Sequence, residues 1–391
     1  MTIVFFFPVI LRDVHRNIYS MDLLEHEGNK IIILEATQYY GLYKPTATDS
    51  FIFERLISCK VKSDIIKFKD SLGESPVLYV TDNLYMKMAF EALNILVREQ
   101  DKLLAASTRV TAANYTYPQG LTKFLHRSLR IADNCLPLHF LKFYYDWVKK
   151  IYTPDYYLGA TKFLTANNTI LSVAKNKRLY AHSDDVNKVF EPMENIINPS
   201  KRIGVFLDQM LPYFNGRNPD FDKNVNKEYK KVYYQNLKRT FEKLKKNLDL
   251  DDIVIALHPE AVNIRKEIDE KFAPFRTYID SSTELIKDSS VVFGHFSTVI
   301  GLAVYYNKPI ILFTDRNIEG RKERGKHISS YANELGLNIL EIDAPTMIEK
   351  DKLLFKDKKL YEEYSKKFLQ ELTYQGNSFH YAINRIIEEI N

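Results

Sequence analysis

Apolar residues arrive along this chain in two rhythms, short unbroken runs and longer stretches with an apolar residue every three or four positions. Residues 2–10, TIVFFFPVI, are continuously apolar, as expected of a strand covered on both faces. In DVHRNIYSMDLLEHE, residues 13–27, Val14, Ile18, Met21 and Leu24 fall at helical spacing, and Gly28 follows as a stop. KIIILEAT then predicts a second strand, which completes a βαβ unit. PVLYVTD predicts a further strand ending at Asp82, and a long helix is expected over 84–100. Residues 101–150 are less regular, and their aromatic and basic segments FLHRSLR and LHFLKFYYDWVKKIY are expected to form amphipathic helices. YYLGATKFLT and NKRLYAHSDD are read as completing the sheet or its rim.

The segment NIINPSKR, residues 195–202, carries Asn, Pro and Ser immediately before a new apolar run and marks a domain boundary. Beyond it the same alternation returns. RIGVFLD, DIVIALH, SVVFGH, KPIILF and LNILEI predict strands. EYKKVYYQNLKRTFEKLKKNL, STELIKD and TVIGLAVYYN predict helices, and helices from about 358 to 389 finish the chain. The pattern predicts α/β architecture with two Rossmann-like domains, 1–195 and 201–375, and a helix over 376–391 that packs back on the first domain.

Composition narrows the class. The chain has 391 residues, 45% of them hydrophobic and 27% charged, which suits a soluble protein of two domains. Its net charge of +5 suits an anionic small molecule and is too diffuse for nucleic acid. Two cysteines, Cys59 and Cys135, lie far apart and form neither a metal knuckle nor a disulfide framework, which points to the reducing cytoplasm. The apolar start is too short to span a bilayer and lacks a basic leader. The basic aromatic stretch at 120–150 permits peripheral contact with a membrane.

Two segments of the second half, expected at successive and adjacent strand ends of one sheet, carry candidate chemistry. LHPEA ends the strand DIVIALH, where open parallel sheets bind ligands. Pro259 fixes the turn and keeps His258 out of the helical region, so its imidazole can donate to a phosphate while Glu260 accepts from ribose hydroxyls. In GHFST, Gly294 permits a tight turn, His295 is a second donor, and Ser297 and Thr298 fall where the next helix is expected to start. Plain helix capping by Ser297 requires the same residue type, so both readings stand. Asp208 and Gln209, after RIGVFL, and Asp315 with Arg316, after KPIILFT, stand at further strand ends as candidates for the sugar, ribose or phosphate.

The pairing of LHPEA with GHFST resembles bacterial sialyltransferases of the GT-B fold, whose His-Pro and Ser-Ser or Ser-Thr motifs bind CMP-sialic acid. The resemblance maps onto His258, Pro259, Ser297 and Thr298. The stretch from SSTELIKD to ILFTD is similar to teichoic-acid CDP-glycerol glycerophosphotransferases, departing from them at GHFST, and residues 180–320 are similar to surface-polysaccharide biosynthesis proteins. These likenesses imply two domains facing each other across a cleft. They also imply a CMP-activated acidic sugar as donor and a cell-surface glycan or glycolipid as acceptor. In such folds the catalytic base comes from the first domain. Asp13, His15 and Asp82 are the candidates, with Glu35 behind them. The acidic-acidic-Gly triplet that supplies this base in sialyltransferases does not occur in the first half.

No cofactor or metal is implied. Asp184–Asp185 and Asp251–Asp252 read as solvated caps, and neither a P-loop nor a GxGxxG after the first strand occurs. A UDP-sugar enzyme such as a 2-epimerase, a CDP-glycerol transferase and a non-catalytic GT-B-like scaffold are the alternatives.

Overall fold

The computed structural model describes residues 1–7, 14–36, 56–82, 92–108, 154–162, 173–213, 227–316, 322–344, 349–370 and 374–390. The chain divides into two compact units. One reaches Phe190 and takes back Gln370–Asn391, and the other runs from Glu191 to Leu369.

The first unit holds a parallel sheet of seven strands: β1 (Thr2–Phe7), β2 (Lys30–Glu35), β3 (Leu56–Ser58), β4 (Val77–Asp82), β5 (Lys102–Ser107), β6 (Tyr156–Gly159) and β7 (Arg178–Tyr180). Their order across the sheet is β3-β2-β1-β4-β5-β6-β7. The apolar runs are strands because both faces are covered. Ile3, Phe5, Ile33, Leu78 and Val80 pack on one face with Tyr19 and Leu24. Val4, Phe6, Leu34 and Tyr79 pack on the other with Ile65 and Phe68. The last helix, Ser378–Ile390, turns Phe379, Ala382, Ile383 and Ile386 into the first of these cores. Phe379 meets Tyr19 edge to face at 4.6 Å, and the Asn377 side chain donates to the carbonyls of Asn17 and Ile18 at 2.9 Å.

The second unit holds six parallel strands: β8 (Ile203–Leu207), β9 (Asp252–Leu257), β10 (Arg276–Ile279), β11 (Val291–Gly294), β12 (Ile310–Thr314) and β13 (Ile339–Glu341). Their order is β10-β9-β8-β11-β12-β13. Numbered within the unit this is 3-2-1-4-5-6, the doubly wound order, and the strand sequence reverses between β8 and β11. The helix Lys227–Asn247 buries Tyr233, Tyr234, Leu237, Phe241 and Leu244 against the sheet. Phe206 stacks on Phe313 at 5.9 Å and Phe313 on Phe293 at 5.7 Å, so an aromatic layer underlies the strand ends.

Several expectations are corrected. β5 lies in the segment read as irregular, and β3 and β10 were not anticipated. KLLAAS lacks β-branched residues, and RTYI is a four-residue strand at the sheet edge. β9 and β11 are not adjacent, because β8 lies between them. The helix after GHFST begins at Ile300, and its N-cap position is Val299 with no side-chain bond, so Ser297 does not cap it. The expected helices between 109 and 153 lie outside the described residues.

Gly204 is a glycine that packing requires. A Cβ there would stand 2.5 Å from Cε2 of the buried Phe293 ring and 3.0 Å from Leu250 Cδ1. Gly294 is not so constrained, since its Cβ would meet Leu207 Cβ at an ordinary 3.6 Å. Gly204→Ala is expected to cost about 1–3 kcal/mol in urea unfolding, while Gly294→Ala stays within about 0.5 kcal/mol of the parent. Equal effects of the two would remove the packing explanation.

Candidate functional site

Ligands of doubly wound sheets bind outside the carboxyl ends of the strands where the order reverses. Here that place is formed by the residues following β8 and β11, with β9 and β12 on either side.

After β8 comes Asp208, only 4% exposed. One carboxyl oxygen accepts the Met210 N–H at 3.1 Å, and the other has no hydrogen-bond partner among the described residues. Burial pushes its pKa up to about 7, against the lowering effect of the Met210 and Gln209 backbone N–H groups. The hydroxyl of Tyr234 is likewise buried without a partner among the described residues, and burial, then the nearby Asp208 charge, hold it well above the usual phenol range. A buried carboxyl of raised pKa at a strand end is a common mark of a functional site.

Gln209 does not project freely toward a ligand. Its side-chain N–H donates to the Phe296 carbonyl, and its side-chain oxygen accepts the Phe296 N–H at 2.9 Å. One carboxamide thus joins the loops after β8 and β11.

After β11 the chain places Gly294, His295, Phe296, Ser297 and Thr298 in succession. His295 is fully buried. Its Nδ1 lies 2.8 Å from the Phe313 carbonyl oxygen and its Nε2 2.9 Å from the Tyr233 hydroxyl. A carbonyl only accepts, so Nδ1 carries the proton and Nε2 accepts from Tyr233. Both nitrogens are spent inside the core, which corrects the expectation of a phosphate donor. Ser297 is half-buried and Thr298 exposed. Their carbonyls accept the N–H groups of Ile300 and Gly301, at 3.1 and 3.0 Å, in a tight turn that leads into the six-residue helix Ile300–Tyr305.

His258, half-buried, follows β9 directly. Its carbonyl accepts the Ala261 N–H at 2.8 Å and starts the short helical turn Pro259–Ile264, on which Pro259 is exposed. With β8 between them, the β9 and β11 strand ends are about 10 Å apart, two strand spacings. His258 and Ser297 therefore flank Asp208 from either side rather than standing on neighbouring strands. The side chain of Glu260 lies outside the described residues, as do Asp13 and the side chains of His15 and Asp82. Glu35 accepts from the Ser58 hydroxyl at 3.1 Å beside its own sheet.

Asp315, after β12, is 3% exposed and accepts from the Tyr229 hydroxyl at 3.0 Å, while Arg316 pairs with Asp343 at 3.6 Å. Tyr229, Tyr233 and Tyr234 are residues that sequence reasoning missed. They stand in the first two turns of the helix Lys227–Asn247 and touch or neighbour Asp315, His295 and Asp208. The signal was present as three tyrosines on one face of an otherwise basic helix, where leucine would fill a core equally well.

No family model and no curated protein matches this chain. Solved structures do. The wall teichoic acid polymerase TagF is similar at 13% identity and TM-score 0.55, over 100% of this chain and 88% of that one. A variant of TagF soaked with CDPG gives 0.52 at 13% identity and the same coverage. MnaA of S. aureus, solved with UDP, gives 0.48 at 12% identity over 100% of this chain and 95% of that one. The likeness to TagF, together with the two parallel sheets, gives this chain an α/β fold of the GT-B type.

Proposed function

We propose that this chain is a transferase that takes a cytidine-nucleotide donor, with the donor phosphate at the strand-order reversal of the second unit. The observation that carries this reading is the succession of His258, Asp208 and Ser297 at the carboxyl ends of β9, β8 and β11, astride that reversal. When the activated group departs, negative charge grows on the leaving phosphate. Donors already fixed in a partly dry site stabilise it without reorganising. The half-buried His258 imidazole and Ser297 hydroxyl are such donors, with the exposed Thr298 hydroxyl next in the chain. Asp208, holding its proton up to about pH 7, adds no negative charge there below that pH and can itself donate.

Within this class the donor we propose is a CMP-activated acidic sugar passed to a glycan or glycolipid, on the strength of the His258-Pro259 and Ser297-Thr298 pairing. A second reading, a CDP-linked donor, draws support from the TagF fold and the CDPG with which TagF was soaked.

Thermal unfolding with CMP, CDP, UMP and UDP tests both. A nucleotide at one hundred times its Kd stabilises its binding partner by about 2.7 kcal/mol. That corresponds to roughly 5–10 °C for a unit of this size. CMP is expected to give the largest rise, and His258→Ala to abolish most of it. A larger rise with CDP would select the second reading. A rise with UDP alone, or with none of the four, would overturn the cytidine assignment, and the last outcome points to a scaffold.

A further inference from the structure

We propose that Gln209 is the positioning residue of this nucleotide site, setting the backbone that carries Ser297 and Thr298 through its reciprocal amide pair with Phe296. The inference rests on the nucleotide reading above and assigns Gln209 a role other than ligand contact.

Parallel strands diverge beyond their last ladder bonds. The pairing of β8 with β11 ends at Leu207 and Gly294, so nothing in the sheet itself fixes how the two following loops stand to each other. Gln209 supplies that missing link. Its carboxamide gives the Phe296 backbone one donor and one acceptor, so a single side chain supplies the two bonds that the parallel ladder no longer provides beyond Gly294. The backbone on either side is held as well. His295 is locked by Tyr233 and the Phe313 carbonyl, and the Phe296 ring meets His327 edge to face at 5.5 Å. The residue before Gln209 is the buried Asp208, whose carboxyl accepts the Met210 N–H, and Met210 itself adopts a left-handed φ of 50°. Position 209 is therefore held from one side by the turn and joined on the other to the segment that presents Ser297. A ligand bridging Asp208 and Ser297 meets a spacing that Gln209 has already set, so it does not have to order the loops on binding.

The chemistry of the pair offers a test that a merely structural role would not pass. A protonated carboxylic acid presents one donor and one acceptor in nearly the geometry of a carboxamide, whereas a carboxylate presents only acceptors and faces the Phe296 carbonyl with a negative charge. Binding of CMP and CDP is to be measured calorimetrically at pH 5 and pH 8 for the wild type, Gln209→Ala and Gln209→Glu, with unfolding curves for each protein. Gln209→Ala is expected to weaken binding at least tenfold at both pH values while remaining folded. Facing the Phe296 carbonyl favours the protonated form of a glutamate, whose ordinary pKa is about 4.3, so Gln209→Glu is expected to bind closer to the wild type at pH 5 than at pH 8, where it binds at least tenfold more weakly. Expressing each result as a ratio to the wild type at the same pH removes the titration of Asp208 and of the nucleotide. If Gln209→Ala does not fold, the pH contrast of Gln209→Glu decides. Variants that bind like the wild type at both pH values overturn the positioning role and leave the nucleotide reading standing. A wild type that binds neither nucleotide overturns both.

Discussion

Asp208→Asn is expected to gain on the wild type by about 2–3 kcal/mol between pH 5 and pH 8, measured by urea unfolding at each pH. The wild-type carboxyl is buried, with one oxygen unpartnered among the described residues and a pKa pushed up to about 7 against an ordinary 3.8. Because the folded state holds the proton more tightly, its contribution to stability is complete below pH 3.8. It is lost progressively as the pH rises to about 7, and above that the loss stays constant. Across the whole range the loss amounts to about 4 kcal/mol, of which the interval from pH 5 to pH 8 covers more than half. Asparagine keeps an acceptor for the Met210 N–H and carries no charge to desolvate. Other titrating groups cancel in the comparison of the two proteins. A difference that does not change with pH would show that the carboxyl is solvated in the folded protein.

His295→Ala is expected to destabilise the protein by about 3–5 kcal/mol, the largest loss among single changes at the strand ends. Three effects combine. The imidazole lies within the aromatic layer, at ring-centroid distances of 5.8 Å from Phe206 and 6.0 Å from Tyr233. Its removal leaves a cavity beneath the reversal point. It also strands the Phe313 carbonyl and the Tyr233 hydroxyl in a dry interior. Tyr233→Phe removes one hydroxyl and keeps the ring, so it should cost only about 1 kcal/mol. Denaturation midpoints of the two variants separate this core role from a surface role, in which His295→Ala would leave stability nearly unchanged.

The contrast between His295 and His258 shows where sequence is informative about this site and where it is not. Strands β1, β2, β4, β8, β9, β11 and β12 were legible because each is an apolar run between polar turns. β5 was not, because KLLAAS carries leucine and alanine and no β-branched residue, a composition that suits a helix equally well. Strand ends were legible too, and with them the positions of His258, Asp208 and Ser297. The inward turn of His295 was not, since a histidine after a strand looks the same whether its partners are a ligand or a tyrosine sixty-two residues away. Chain order likewise hid that β8 separates the two motif-bearing strands. Gln209 was legible as a polar residue at a strand end, but its partner is a backbone amide, and backbone groups leave no trace in side-chain sequence.

The return of Ser378–Ile390 to the first sheet bears on how the polypeptide matures during synthesis. The second unit takes in the continuous segment Glu191–Leu369, and nothing that follows Leu369 belongs to it, so its chain is complete once that residue has left the ribosome. The preceding sheet, although translated earlier, still lacks Phe379, Ile383 and Ile386 at that moment, and one side of it is covered only in part, by Tyr19, Met21 and Leu24, until the closing helix arrives. The half that is made first is thus the half that is sealed last, and the interval between the two is when its apolar face is open to chaperones or to aggregation.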